Sequence, residues 1–138
     1  MKVPQMSYLS LALILCACST TNVTNCPDKM CTTEFRMVQV KFTEEGGTSV
    51  AVEEYNAINK RTNSPMAQNN EPATINNRGI YTVASDADIA NLSDMGDTIL
   101  VTGTHPVSKK VLKSEFVVSG GECACHITKI SGPESLQF

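Results

Sequence analysis

Apolar and polar positions along this chain alternate in short runs separated by turn-forming residues, the pattern of a β protein. Over residues 34–42, Val38, Val40 and Phe42 alternate with Gln39 and Lys41, the period of a half-buried strand. Phe35 and Met37 fall out of phase and predict a bulge or twist near Met37. Glu44-Glu45-Gly46-Gly47 is a turn, and residues 49–58 are expected to return as the second arm of a hairpin. Residues 60–78, rich in Asn and interrupted by Pro65 and Pro72, have little to pack and read as a long surface loop. A short strand at 79–84 precedes Ser85, which is placed to cap a short helix over about residues 86–93. Asp86 and Asp88 suit the positive end of its dipole. Residues 98–103 make another strand, and His105-Pro106 turns. Leu112, Phe116 and Val118 then alternate with Lys113 and Glu115 in the clearest amphipathic strand of the chain. Gly120-Gly121 breaks it, and a further strand over 123–130 ends at Gly132-Pro133. Strands at this spacing predict an all-β antiparallel sandwich with one short helix. Its expected core is Val38, Val40, Phe42, Val50, Val52, Tyr81, Val83, Leu92, Leu100, Leu112, Phe116, Val118 and Ile127.

One apolar run does not belong to this pattern. Lys2 is the only charge in the first seventeen residues, and residues 9–15 are almost wholly apolar. That run is far shorter than the roughly 20 residues a spanning helix needs. A positive start, a short apolar stretch and small residues beyond it describe a secretory signal. Leu15-Cys16-Ala17-Cys18 resembles the bacterial lipobox, with Leu three positions before the cysteine and Ala just before it. Cys16 as the modified residue would put bulky Leu15 in the small-residue position, so Cys18 is assigned. The expected organisation is therefore a signal peptide over 1–17, a lipidated tether over 18–30 and a domain over 31–138. The resemblance implies a multiply acylated Cys18 and stable attachment to the outer-membrane bilayer, where one chain alone would bind marginally. By analogy with the enterobacterial sorting rule, Ser19 rather than Asp after Cys18 favours the outer membrane. Residues 20–23 hold no acidic cluster of the kind associated with surface export in some bacteria, which favours a periplasm-facing domain.

Charge narrows the partners. Without Lys2 the chain carries ten basic residues against 14 acidic ones, net −4, so nucleic acid and anionic lipid surfaces are not indicated. The absence of Trp argues against a broad aromatic stacking platform.

The mature region keeps Cys26, Cys31, Cys123 and Cys125, an even number in an exported chain, and disulfides are the first reading. If 123–130 is a strand, Cys123 and Cys125 share a face about 6.5–7 Å apart, at the limit for a bridge. Pairing across the two clusters is then expected, with either crossing open. Cys123-Ala124-Cys125-His126 lacks the spacing of a haem-attachment or thioredoxin motif, and on a strand His126 points away from the thiols. A four-thiolate metal site is the alternative, against the usual zinc spacings. Asp86 and Asp88 lie in no calcium-loop series, and Ser119-Gly120-Gly121 lacks the context of a nucleophile elbow. No catalytic residue, metal site or cofactor motif is assigned.

Several stretches resemble small, uncharacterised lipoproteins of gut-type Bacteroidetes. They are Cys31-Thr32-Thr33-Glu34-Phe35-Arg36, Gly79-Ile80-Tyr81-Thr82-Val83-Ala84-Ser85-Asp86, Gly96-Asp97-Thr98-Ile99, and residues 118–127 followed by Ile130-Ser131-Gly132-Pro133. The resemblance implies an immunoglobulin-like or carboxypeptidase-regulatory-like sandwich and carries no activity. Asp97-Thr98-Ile99 also resembles the O-glycosylation signal of those bacteria, with Thr98 as acceptor. The expected function is a non-catalytic, lipid-anchored envelope module that binds a protein or glycan partner or serves a structural role. The alternative is a thiol-based protein that holds a soft metal or exchanges disulfides through its four cysteines.

Overall fold

The computed structural model describes Cys26, residues 28–66 and residues 79–138. The expected signal segment, Cys18 and the second half of the expected loop lie outside the described residues. The elements follow in the order β1 (Met37–Thr43), β2 (Glu53–Asn59), β3 (Ser64–Pro65), β4 (Ile80–Ser85), a 3₁₀ helix (Asp86–Asn91), β5 (Asp97–Thr104), β6 (Val111–Ser119), β7 (Thr128–Ser131) and β8 (Ser135–Gln137). One sheet runs β4-β1-β8 and the other β3-β2-β5-β6-β7, and the two pack face to face as an all-β sandwich. Every pairing is antiparallel except β1 with β8.

The alternation of β1 puts Val38, Val40 and Phe42 inside and leaves Met37 exposed, with a shift of register between Val38 and Gln39. The expected hairpin with residues 49–58 does not form. After a single bridge from Thr43 to Ser49 the chain crosses to the other sheet, where β2 pairs with β5 and β3. Val50 and Val52 are half-buried against the core during that crossing. Glu54 takes a positive φ and the β2–β5 register shifts beside it, so Tyr55, Ala57 and Asn59 become the inward set.

In β5 the expected phase is wrong by one residue. Ile99 and Val101 are fully buried and Leu100 is half-buried. Three consecutive apolar residues leave the phase ambiguous, and their neighbours decide it. Asp97 is drawn inward by hydrogen bonds, and Gly103 lies under Phe42, where a Cβ would stand 2.8 Å from the ring. Leu112 is half-buried near the start of β6. Residues 123–127 are irregular rather than extended, so β7 begins only at Thr128. β8 was not anticipated: it lies beside β1, in parallel, after the turn at Gly132-Pro133. Gly132 adopts φ +130°, and a Cβ there would stand 2.3 Å from the Phe116 ring, so only glycine lets the chain cross that ring.

Phe42, Phe116, Ile99, Val40, Val83, Val101 and Val118 are the largest fully buried apolar side chains, each contributing about 1.5–3 kcal/mol of transfer free energy. The strand directions define two ends. The start of β1, the end of β4, the 3₁₀ helix and the end of β6 share one end, here called the stapled end. The turn after β1 and the β5–β6 connection share the far end.

Candidate functional site

At the stapled end two disulfides join the segment before β1 to the loop after β6. Cys26 pairs with Cys123, Cα atoms 5.2 Å apart, and Cys31 with Cys125 at 5.3 Å. Both distances are ordinary for a bridge. Because 123–127 is irregular, the strand-face argument for the pairing does not apply; the loop presents the two cysteines to partners five residues apart on a segment that lies across it.

The bridges set their neighbours side by side. Thr32 follows Cys31 and His126 follows Cys125, and the His126 Nε2 lies 2.8 Å from the Thr32 hydroxyl oxygen. The other ring nitrogen, Nδ1, lies 2.7 Å from Asp86 Oδ2. That same oxygen accepts the amide of Arg36 at 2.9 Å, and Oδ1 accepts the amide of Ile127 at 2.9 Å. Burial raises the carboxyl pKa of Asp86, but the amides of Arg36 and Ile127 and the His126 ring outweigh it and hold it below the usual range. An ionised carboxylate only accepts, so Nδ1 carries a proton and donates to Asp86, while Nε2 faces the Thr32 hydroxyl. Glu34, beside them, is lowered chiefly by its hydrogen bond with the Arg36 guanidinium.

Carboxylate, imidazole and hydroxyl stand here in the order of a nucleophilic triad. The neighbouring cleft, about 790 Å³, is lined by His126 together with Arg61, Ser93, Asp94, Gly121 and Glu122. What the arrangement does is fasten three separate pieces of chain to one carboxylate: the segment before β1, the first residue of the 3₁₀ helix, and the loop after β6.

A second carboxylate closes the same end. Asp97, with 3% of its side chain exposed, accepts Arg61 Nε at 2.7 Å, Arg61 Nη2 at 2.8 Å, Asn59 Nδ2 at 2.7 Å and the Ser93 amide at 3.1 Å. The Arg61 bonds lead in holding its pKa low, against burial. Arg61 Nη2 also donates to the Asn91 carbonyl at 2.9 Å, tying the turn after β2 to the 3₁₀ helix.

The far end is built from rings. Phe42 packs edge-on to Tyr55 and Tyr81 and stacks on Phe138, while Tyr55 and Tyr81 stack at 4.5 Å. The Tyr55 hydroxyl donates to the Thr82 carbonyl, and burial pushes its pKa up. His105 Nδ1 accepts the amides of Val107 and Ser108, so Nε2 carries the proton and donates to Glu44 at 2.7 Å.

Of the residues singled out in the sequence, Cys18 lies outside the described residues and the four remaining cysteines are paired. Thr98 is half-buried on β5, the middle strand of its sheet, between buried Asp97 and Ile99. Asp86 and Asp88 diverge: Asp86 turns to His126, and Asp88 accepts the Ser85 amide at 2.8 Å. Among the described residues no group of three or more His, Cys, Asp and Glu side chains is placed to hold a metal ion. The roles of Thr32 and of the Asp86–His126 pair were missed. Their signal was adjacency, since a bridge between two cysteines brings the next residues together. Three of the four stretches that carry the lipoprotein resemblance contribute residues to this one point. No protein-family model, curated protein or solved structure matches the chain.

Proposed function

We propose that the chain is an exported, lipid-anchored envelope protein whose sandwich works as a non-catalytic module at the outer membrane, facing the periplasm. The observation that carries this reading is the pair of disulfides joining the segment after the lipobox-like stretch to the loop after β6. Such bridges persist in an oxidising compartment, and the Cys26–Cys123 bridge binds the domain directly to the expected tether. The alternative as a soft-metal protein needs thiolates from cysteines that are paired here, and as a disulfide-exchange protein it needs one of these bridges to open to a partner thiolate. The Thr32–His126–Asp86 chain serves this reading as a lock on the tether's root. A protein or glycan partner would be met at the far end, where His105 holds the β5–β6 connection and Val107 stands 84% exposed. The immunoglobulin-like class and the kinship with Bacteroidetes lipoproteins belong to the same proposal, supported by the sequence stretches named above.

Detergent phase partitioning of the full chain tests the anchor. Wild type and Cys16→Ser are expected in the detergent phase, and Cys18→Ser is expected in the aqueous phase or as unprocessed precursor. A Cys18→Ser protein that partitions like wild type would overturn the assignment.

A further inference from the structure

The stapled end carries an uneven share of exposed apolar side chains. Met30, Phe35 and Met37 lie on the segment that continues the tether, Met95 follows the 3₁₀ helix, and Ile130 lies on β7 near Gly96. Met30 is fully exposed and Met95 is 83% exposed. Only Val107 and Val111, of the large apolar residues exposed among those described, sit at the far end. Singly exposed apolar residues are ordinary, but these surround one end, and Met30 is held there. It lies between Cys26 and Cys31, both bridged to the loop after β6, so it cannot fold back into the core.

Chain length says what covers this end. If Cys18 bears the lipid, only residues 19–25 separate it from Cys26, a reach of at most about 29 Å even when fully extended. Cys26 is fixed at the stapled end, so that end is held within this reach of the bilayer, nearer to it than the far end. Charge says how contact is made. Arg36 pairs with Glu34, Arg61 with Asp97 and Lys129 with Glu134, while Lys29 donates to the Cys123 carbonyl. Lys29 keeps its charge, but the other three cations are paired with carboxylates, so attraction for anionic headgroups is weak and apolar insertion carries the contact.

We infer that the stapled end is a membrane-docking face: Met30, Phe35, Met37, Met95 and Ile130 rest in the interfacial layer of a neutral lipid surface, and the strands stand upright from it. This rests on the proposed acylation of Cys18.

The chain contains no tryptophan, so single reporters are available. Met30→Trp, Phe35→Trp and Met95→Trp would be placed in the full-length acylated protein, with Val107→Trp as the far-end comparison. Each is reconstituted into phosphatidylcholine–phosphatidylethanolamine vesicles with and without brominated lipid. Co-flotation with vesicles reads the anchor, and quenching reads docking in the protein that floats. The three stapled-end reporters should be blue-shifted and quenched about twofold or more, as interfacial insertion demands, with Val107→Trp unquenched. Flotation with all four reporters equally unquenched would overturn the docking face and leave the anchor standing. A blue shift that grows with protein density but ignores brominated lipid would mean that a second copy covers this end, and would also overturn it. Failure to float would overturn the anchor and the docking face together.

Discussion

Each end of the sandwich sets a histidine 2.7 Å from a carboxylate, and the two ends use the pair in opposite ways. At the stapled end His126 turns Nδ1 to Asp86 and offers Nε2 to Thr32, bridging segments that two disulfides already hold. At the far end His105 uses Nδ1 to accept two amides of its own loop and sends Nε2 outward to half-exposed Glu44. The first histidine joins pieces distant in sequence, and the second shapes a turn. Their surroundings differ to match. Covalent bonds and engaged carboxylates hold the stapled end, and packed aromatic rings hold the far one. The sandwich therefore fixes its two ends by chemically independent means, and perturbations should separate them.

The largest separation should come from the bridges. Replacing all four paired cysteines by serine frees loops spanning 97 and 94 residues, and the first loop released is worth about 4–5 kcal/mol in the chain-entropy model. Urea denaturation of this variant should show that loss, against a total stability of only about 5–15 kcal/mol. An unchanged midpoint would mean that the bridges do not govern the stapled end.

Core truncation at the far end comes next. Phe42→Ala removes the ring on which Tyr55, Tyr81 and Phe138 converge and should cost about 3–5 kcal/mol. The same cost is expected with the disulfides intact or removed, because well-separated changes add. A cost that depends on the redox state would couple the two ends and end the distinction.

Asp97→Asn should cost about 1–3 kcal/mol, because Asn59 and Arg61 lose the carboxylate they share. It should also change the response to acid. Asp86 and Asp97 both have pKa values lowered by folding, so their contribution is complete above the unfolded carboxylate value of about 3.9 and is lost as the pH falls through their folded values. Urea midpoints measured from about pH 5 down to about pH 2 should fall less steeply in the Asp86→Asn, Asp97→Asn double variant. A parallel slope in the double variant would remove these carboxylates from the acid response.

Smaller effects should follow at the lock and at the far-end pair. Thr32→Val deletes one hydrogen bond and should cost about 0.5–1.5 kcal/mol, read as faster amide exchange confined to residues near 28–36. Glu44→Gln, at a half-exposed pair, should cost about 1 kcal/mol or less and leave that exchange unchanged.

The far end and the strands were more legible in the sequence than the stapled end. Val38, Val40, Phe42, Phe116 and Val118 are buried where alternation placed them, most plainly Val40 and Phe42, which have a polar residue on each side. Tyr81 and Val83 are buried as expected in β4, a strand buried along nearly its whole length. Alternation failed where apolar residues ran together, at Ile99-Leu100-Val101, and partner choice failed for β2, since a turn signal does not say which sheet receives the returning chain. β8 escaped because a three-residue strand is held by β1 rather than by its own pattern. The four cysteines were visible, but the histidine between Thr32 and Asp86 was not. That contact spans 94 residues on one side and 40 on the other, and no local periodicity encodes it.

The Cys26–Cys123 bridge also has a mechanical meaning. A pull exerted through the chain before Cys26 divides there. Part of the load enters the domain at residue 28, and part passes through the sulfur–sulfur bond to the loop after β6. Because Cys31–Cys125 repeats the division five residues later, β1 receives tension already shared between two covalent routes. Its hydrogen bonds to β4 and β8 are thereby kept from being peeled one at a time from the tethered side.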